Sequence, residues 1–359
     1  MATGFKTATV RSGDVPATQT DFPTYVDLSR LGITTLAEAQ SVRVYAEVGK
    51  STEWSREIVS VTEMHVKVPS LTSSTEIFVD WDGVRSDYGV TTTYGAEAVW
   101  SDYFAVWHFQ GAAGTTVKVY DSSGNGRNWT EANSPTTADG VQGQTDGSYD
   151  MTGSAGATGS SSFDYLSMGT VMGNIGSNPF TMSVWFKPHI EHSTTVALFR
   201  EEDNGPTGRK NFGLWLDPNE KISAGYAPNG TNSYNVGATA NAVTVNAWSY
   251  GVFRRLVSSL YPAVTLNGGT TVIGTTGGGT FSSGNNSFFL NRRYNSRYSS
   301  SSRYMDGQYG EMRMRFDDVG ESWITTEYNN QNAEATFWGT WTTAGGAAQA
   351  ARRGAVMMM

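Results

Sequence analysis

From Asp21 onward the chain alternates. Phe22-Pro23-Thr24-Tyr25-Val26-Asp27-Leu28 sets large apolar groups between polar ones at a period of two, as a strand with one buried face requires. The alternation returns over residues 41–47, 57–62, 65–68 and 75–81, with Pro69 and Asp82-Gly83 as expected stops. Between them, Leu36-Ala37-Glu38-Ala39-Gln40 follows Thr34 and Thr35, either of which can cap a helix of a turn or two. Residues 1–19 are polar, rich in Thr and Ala, and read as an arm or a first edge strand. This spacing predicts a small antiparallel sandwich over residues 20–98.

A second, aromatic-rich series of strands is predicted over residues 104–109, 180–187, 195–199, 211–216, 221–227, 248–255, 261–266, 287–290 and 310–316, with Gly and Asn in nearly every gap. Many short strands with almost no helix between them select a sandwich or barrel over a βαβ fold. A single amphipathic helix is expected at 321–331, where Trp323, Ile324, Glu327 and Tyr328 fall about a turn apart. The predicted fold is therefore all-β: an N-terminal arm (1–19), a small β-sandwich (20–98), a larger jelly-roll sandwich with a short C-terminal helix (99–342), and a tail (343–359).

Composition sharpens this reading. Charged residues make up only 16% of the 359, against the roughly 25% usual for soluble domains, while there are 41 glycines and 12% aromatics. The surface is consequently rich in neutral hydrogen-bonding groups, which suits sugars and protein neighbours. A formal net charge of −8 opposes phosphate-backbone binding, so no nucleic-acid partner is expected. Cysteine is absent, which removes disulfides, thiolate metal sites and a Cys nucleophile. Residues 1–15 lack the apolar stretch of a secretory signal, and no run approaches the roughly 20 apolar residues of a membrane helix, so neither a leader nor membrane insertion is expected.

Two stretches resemble known modules. The first, with Asp21-Phe22-Pro23-Thr24-Tyr25-Val26-Asp27-Leu28, Ser41-Val42-Arg43-Val44-Tyr45 and Val66-Lys67-Val68-Pro69-Ser70-Leu71 leading to Thr75-Glu76-Ile77-Phe78-Val79-Asp80-Trp81, resembles the DUF2341 domain. The second stretch resembles a LamG-like, concanavalin-type jelly roll. Its marks are Ala105-Val106-Trp107-His108-Phe109, the turn Asp121-Ser122-Ser123-Gly124-Asn125-Gly126, the strand Phe180-Thr181-Met182-Ser183-Val184-Trp185-Phe186-Lys187-Pro188, and Leu266-Asn267-Gly268. Glu311-Met312-Arg313-Met314 and the segment from Trp323 to Gln331 complete it. The resemblance implies binding or structural work, since this pair of modules is common on cell surfaces and in phage particles.

Jelly rolls of this kind include glycosidases and lyases, but the residues that such chemistry needs are not apparent. Retaining glycosidases hold two carboxylates about 5 Å apart, and no Glu-x-Asp-x-x-Glu strand exists. Glu201-Glu202-Asp203 is the densest acidic cluster and, before Asn204-Gly205-Pro206, reads as a solvated turn. The histidines are His65, His108, His189 and His192, without a His-Glu-x-x-His pair. His189 and His192, three apart in a loop after Pro188, would need zinc ligands that nothing else supplies. His108 reads as a structural histidine, and no Gly-x-Ser-x-Gly elbow appears in a strand-to-helix context. No enzyme is expected. The oxygen-rich turn with Asp121 and Asn125 is the one candidate for a cofactor, a calcium ion, against the alternative that these side chains simply close a turn.

Two surface candidates remain. Arg292, Arg293, Tyr294, Arg297, Tyr298, Arg303, Tyr304 and Tyr309 cluster in a Ser/Asn background, a composition suited to a glycan or protein interface. The tail carries Arg352 and Arg353 and closes on Met357, Met358 and Met359, an apolar plug suited to docking on a neighbouring subunit. Together these features lead to the expectation of a phage virion structural protein, a capsid decoration or fibre-like component located in the virion. Its expected partners are other virion proteins, copies of itself in a homo-oligomer such as a trimer, and surface polysaccharide. The alternatives are a non-virion carbohydrate-binding protein and a polysaccharide-degrading enzyme of concanavalin-like fold.

Overall fold

The computed structural model of the chain describes residues 3–110, 117–131, 140–145, 147–151, 164–169, 178–203, 210–227, 234–278, 286–291 and 304–345. The chain divides into two units, residues 1–101 together with 325–359, and residues 102–324. The expected boundaries at 98/99 and 342/343 are thus corrected at the C-terminal side, because the last helical segment returns to the first unit.

In the first unit the strands are β1 (Gly4–Thr9), β2 (Gln19–Asp27), β3 (Arg43–Tyr45), β4 (Glu53–Trp54), β5 (Arg56–Ile58), β6 (Glu63–Leu71), β7 (Glu76–Trp81) and, from the chain's end, β24 (Thr342–Thr343). They form two antiparallel sheets, in the order β24-β1-β7-β3-β4 and β2-β6-β5. The expected arm contributes β1, an interior strand of its sheet: six of its residues pair with β7, and Lys6 and Thr7 face Thr343 and Thr342 on the other side. Helix α1 (Leu36–Gln40) starts at a full capping box, with Thr35 bonded to the Glu38 amide and the Glu38 carboxylate returning to the Thr35 amide. Pro69 does not end a strand. β6 runs to Leu71, and Pro69, which has no N–H to give, falls where Phe22 opposite Val68 passes to Thr20 opposite Ser70, across from Asp21 at φ 52°.

The returning C-terminal segment closes this unit through the free edge of β2. The Tyr25 amide donates to Asn330 Oδ1 at 2.6 Å, and the Tyr25 carbonyl accepts from Asn330 Nδ2 and from Trp338 Nε1, each at 3.0 Å. A side-chain amide thereby stands in for a neighbouring strand and satisfies an edge that would otherwise be unpaired. Arg30 secures helix α4 (Glu334–Phe337) by donating to the carbonyls of Glu334, Ala335 and Gly339 as well as to the Glu334 carboxylate at 2.6 Å. A cation is favourable among carbonyls at the end of a helix.

The second unit contains β8 (Ala105–Trp107), β9 (Val117–Val119), β10 (Trp129–Glu131), β11 (Gly140–Gln142), β12 (Gly147–Met151), β13 (Leu166–Ser167), β14 (Phe180–Pro188), β15 (Val196–Asp203), β16 (Lys210–Leu216), β17 (Ile222–Tyr226), β18 (Tyr234–Val236), β19 (Ser249–Arg255), β20 (Pro262–Leu266), β21 (Val272–Ile273), β22 (Asn286–Leu290) and β23 (Gly307–Arg315). Among the described residues they build two antiparallel sheets, ordered β18-β17-β16-β15-β22-β13-β10-β9 and β11-β12-β23-β14-β19-β20-β21, with β8 also pairing β23. This is the expected jelly-roll sandwich. Alternate residues of the paired strands meet between the sheets, and Trp107, Trp129, Phe180, Phe199, Phe212, Phe253 and Phe288 form a continuous aromatic core, with Trp129 and Phe288 centroids 5.2 Å apart. The predicted C-terminal helix is α3 (Gly320–Asn332). A four-residue helix, α2 (Ala96–Val99), is an addition to the expected elements. No helix among the described residues is long and apolar enough to cross a membrane.

One buried carboxyl makes the first unit's stability pH-dependent. Burial raises the Glu334 pKa to about 7, outweighing the opposing pull of Arg30. The folded state therefore holds this proton more tightly than the unfolded chain, so the resulting stability is full below about pH 4.5 and is lost as pH rises towards 7. We expect urea denaturation of the first unit to show a loss approaching about 3 kcal/mol from this group between those limits, and Glu334→Gln to flatten that slope. An unchanged slope in the variant would show that Glu334 is not its source.

Candidate functional site

One line of residues crosses the outer face of the sheet ordered β18 to β9. Thr130, Ser167, Phe289, Arg200, Gly213 and Gly225 stand directly opposite one another on six successive strands. Their neighbours along each strand, among them Trp129, Leu166, Leu290, Phe199, Leu214 and Ala224, belong to the core. Period-two geometry therefore sends this row to the face away from the core.

At the β16–β17 end of the row stand two adjacent glycines, both buried. Trp215 lies two residues from Gly213 on the same face, and its half-buried indole covers it so closely that a Cβ on Gly213 would come within 3.0 Å of Trp215 Cζ2. Ser223, opposite Trp215, adds a half-buried hydroxyl. On the other side of the glycines stands Arg200, itself buried, then Phe289, which joins Tyr165 and Tyr304 in a small aromatic cluster. The half-buried indole and hydroxyl beside the glycine backbone offer one apolar face and directed hydrogen bonds, with Arg200 buried on the adjoining strand. That is chemistry suited to a ring with an apolar face and equatorial hydroxyls.

The expected sites fall elsewhere or apart. Of the Arg/Tyr interface candidates, Arg292, Arg293, Tyr294, Arg297, Tyr298 and Arg303 lie outside the described residues, as do Arg352, Arg353, Met357, Met358 and Met359 of the tail. Tyr304 is largely buried in the cluster just described. Tyr309 is no surface residue: it points from β23 into the core, fully buried, and its hydroxyl donates to Asn291 Oδ1 at 3.1 Å. Burial pushes its phenol well above the usual range.

The Asp121 turn is closed on itself. Asp121 Oδ1 accepts from the Val106 amide, the Ser123 amide and the Ser123 hydroxyl, while Oδ2 accepts from the Arg127 amide. Asn125 donates to the Tyr103 and Phe104 carbonyls, and Gly124 and Gly126 take the positive φ that the turn needs. Its carboxylate oxygens accept from four donors of the loop, the hydrogen bonding of a closed turn.

The acidic triplet is also corrected. Glu201-Glu202-Asp203 continues β15 instead of forming a turn, and Glu201 stands opposite Phe212 and Phe288 on the core side, fully buried. His108 is buried, with Nδ1 2.8 Å from Glu311 Oε2 and Arg313 held to the other Glu311 oxygen at 2.6 Å. His65 pairs with Glu63 at 2.9 Å. His189 and His192, expected to lack further ligands, meet carboxylates from distant segments, Asp150 and Asp306 at His189 and Glu220 at His192.

Residues 158–315, which include β13 to β23, match the concanavalin A-like lectin/glucanases superfamily. The row of residues from Ser167 to Phe289 lies within this concanavalin A-like segment. No curated protein matches the chain in sequence. Among solved structures, a Trypanosoma rangeli sialidase in complex with a difluoro-nononic acid is similar at 12% identity and TM-score 0.44, over 76% of this chain and 41% of that one. Domain 4 of AbnA, a GH43 extracellular arabinanase from Geobacillus stearothermophilus, in complex with arabinotriose, is similar at 18% identity and TM-score 0.44, over 62% and 97%. The CBM40 of a Ruminococcus gnavus sialidase, bound to α2,3-sialyllactose, is similar at 12% identity and TM-score 0.36, over 42% and 83%. The chain thus spans about two fifths of the length of the trypanosomal sialidase.

The closed turn makes a definite prediction. Asp121→Ala removes the acceptor of four hydrogen bonds and should destabilise the second unit by about 2–4 kcal/mol in chemical denaturation. Millimolar calcium should leave the stability of both wild type and Asp121→Ala unchanged, and a calcium-dependent gain that the variant loses would restore the metal reading.

Proposed function

We propose that the concanavalin A-like unit binds a saccharide on the outer face of the β18 to β9 sheet. The observation that carries this reading is the Trp215 indole laid over Gly213 beside Arg200 on a glycine floor. The membership of residues 158–315 in a superfamily of lectins and glucanases supports it. An indole face gives a sugar ring a stacking partner at low entropy cost.

The unit acts by binding and not by cleavage in this reading. The densest acidic stretch in the sequence supplies no facing carboxylate to this surface from Glu201, which is turned to the core. A finer reading makes the chain a phage virion structural protein, with a DUF2341-like first unit and a jelly roll that contacts polysaccharide. The resemblance of the two modules in sequence pattern supports it, and mass spectrometry of purified particles tests it: absence of the chain from them would end it.

Calorimetric titration of array-selected oligosaccharides tests the binding surface. Trp215→Ala should weaken binding at least tenfold, about 1.4 kcal/mol, with unchanged melting temperature. Gly213→Val, which places a branched side chain under the indole, should do the same to binding. Undiminished affinity in both variants would move the site off this face, and no binding to any glycan would overturn the saccharide reading itself.

A further inference from the structure

The first unit has a cavity of its own where β1 begins and β7 ends. Its volume is about 400 Å³, and Gly4, Phe5, Asp80, Trp81, Asp82 and Arg85 line it, a size within the roughly 300–1,000 Å³ of small-ligand clefts. The register explains which groups meet there. Gly4 stands opposite Trp81 and Phe5 opposite Asp80, so the last two pairs of this ladder bring an indole, a phenyl ring and a carboxylate to one rim. Glycine is needed at position 4, because a Cβ there would overlap the six-membered ring of Trp81. Past the strand, Asp82 Oδ1 accepts from the Val84 and Arg85 amides, and this turn brings Arg85 back to the end of β7.

Two carboxylates and two cations pair off around this rim. Asp80 Oδ2 lies 3.1 Å from Lys50 Nζ and 3.0 Å from Arg85 Nη1, and Arg85 Nε lies 2.7 Å from Asp82 Oδ2. The Lys50 ammonium also sits 4.2 Å from the centre of the Phe5 ring, a cation held against a π face. One polar atom of the lining is left unanswered. Trp81 is 4% exposed, and among the described residues its Nε1 has no hydrogen-bond partner. A buried donor in that state costs about 1–3 kcal/mol, which an acceptor entering the cavity would relieve.

The charge pairing indicates which kind of ligand fits. An ion entering here would meet a like charge beside every opposite one and would lose its water without gaining a counter-ion of its own. A hydroxyl both donates and accepts, so it can bond a carboxylate or a guanidinium without displacing the partner already there, and its oxygen can take the Trp81 N–H. Phe5 and the indole offer the same ligand apolar surface. Several hydroxyls on a compact ring with an apolar face meet all of these conditions. We infer that this cavity binds a neutral sugar ring, a second saccharide position that belongs to the first unit and does not depend on the face around Trp215.

The test uses the full chain carrying Trp215→Ala, so that its outcome is separate from that of the second unit's face. Methyl glycosides of neutral hexoses and pentoses, with methyl glucuronoside as the anionic counterpart, are titrated by calorimetry. At least one neutral glycoside should bind saturably in this background. Adding Trp81→Phe, which keeps a ring and removes the N–H, or Arg85→Gln should each weaken that binding about tenfold, with the circular dichroism of the parent retained. If Trp81→Phe fails to fold, Arg85→Gln, at a partly exposed side chain, decides. No binding of any neutral glycoside to the Trp215→Ala protein, equal binding in the folded variants, or binding of the glucuronoside alone would each overturn the inference. Binding that survives Trp215→Ala and falls with Arg85→Gln supports it, whatever the fate of the Trp215 reading.

Discussion

A single extra residue in β15 decides which side of its sheet carries charge. Ala197 stands opposite Trp215, yet Phe199, and not Leu198, stands opposite Leu214. Leu198 is the additional residue, and both Leu198 and Phe199 are taken into the core. Because side chains alternate strictly along a strand, the bulge shifts everything after it by one position. It turns Arg200 to the face of the glycines and Glu201 inward between Phe212 and Phe288. In an unbulged strand Arg200 would enter the aromatic core and Phe199 would occupy the face where Trp215 lies. The surface chemistry of the sheet therefore follows from one local irregularity that the partner strands β16 and β22 hold in register.

That irregularity explains what was and was not legible in the residues alone. The predicted strand at 195–199 was there, but Glu201-Glu202-Asp203 after it read as a turn, since nothing in the period announces a bulge. Trp215 did carry a signal. In Phe212-Gly213-Leu214-Trp215 the glycine and the tryptophan share the phase opposite to the core residues, and a tryptophan on an outer face calls for a reason. Tyr309 misled for the converse reason: in composition it belongs with its Arg/Tyr-rich neighbours, whereas its phase along β23 is that of the core. Another bulge, where Val184 faces Met312 but Phe186 faces Tyr309, sets that phase.

The first unit shows the same limit at longer range. Its strands and the capped α1 follow from local pattern, but the groups that satisfy the free edge of β2 at Tyr25 lie 305 and 313 residues away. Asn330 and Trp338 saturate the Tyr25 carbonyl, and Thr342–Thr343 extends the sheet begun by β1. An amphipathic helix pattern shows that α3 has a buried face without showing which unit buries it. A boundary drawn from sequence accordingly fell at the end of the pattern instead of within the helix, where the chain actually passes from one unit to the other.

The histidine corner is the clearest case of chemistry assembled by topology. His189 and His192 are close in sequence, but Asp150, Glu220 and Asp306 reach them from separate segments through strand adjacency and a turn. The cluster also joins elements that the ladders keep apart. Asp150, His189 and Asp306 belong to the sheet containing β12, β23 and β14, whereas Glu220 sits at φ 54° in the turn between β16 and β17 of the other sheet. Hydrogen bonding already crosses there, from the His192 amide to the Glu220 carboxylate. That bond, made outside the hydrophobic core, ties the two sheets together at one end of the sandwich in a chain without cysteine.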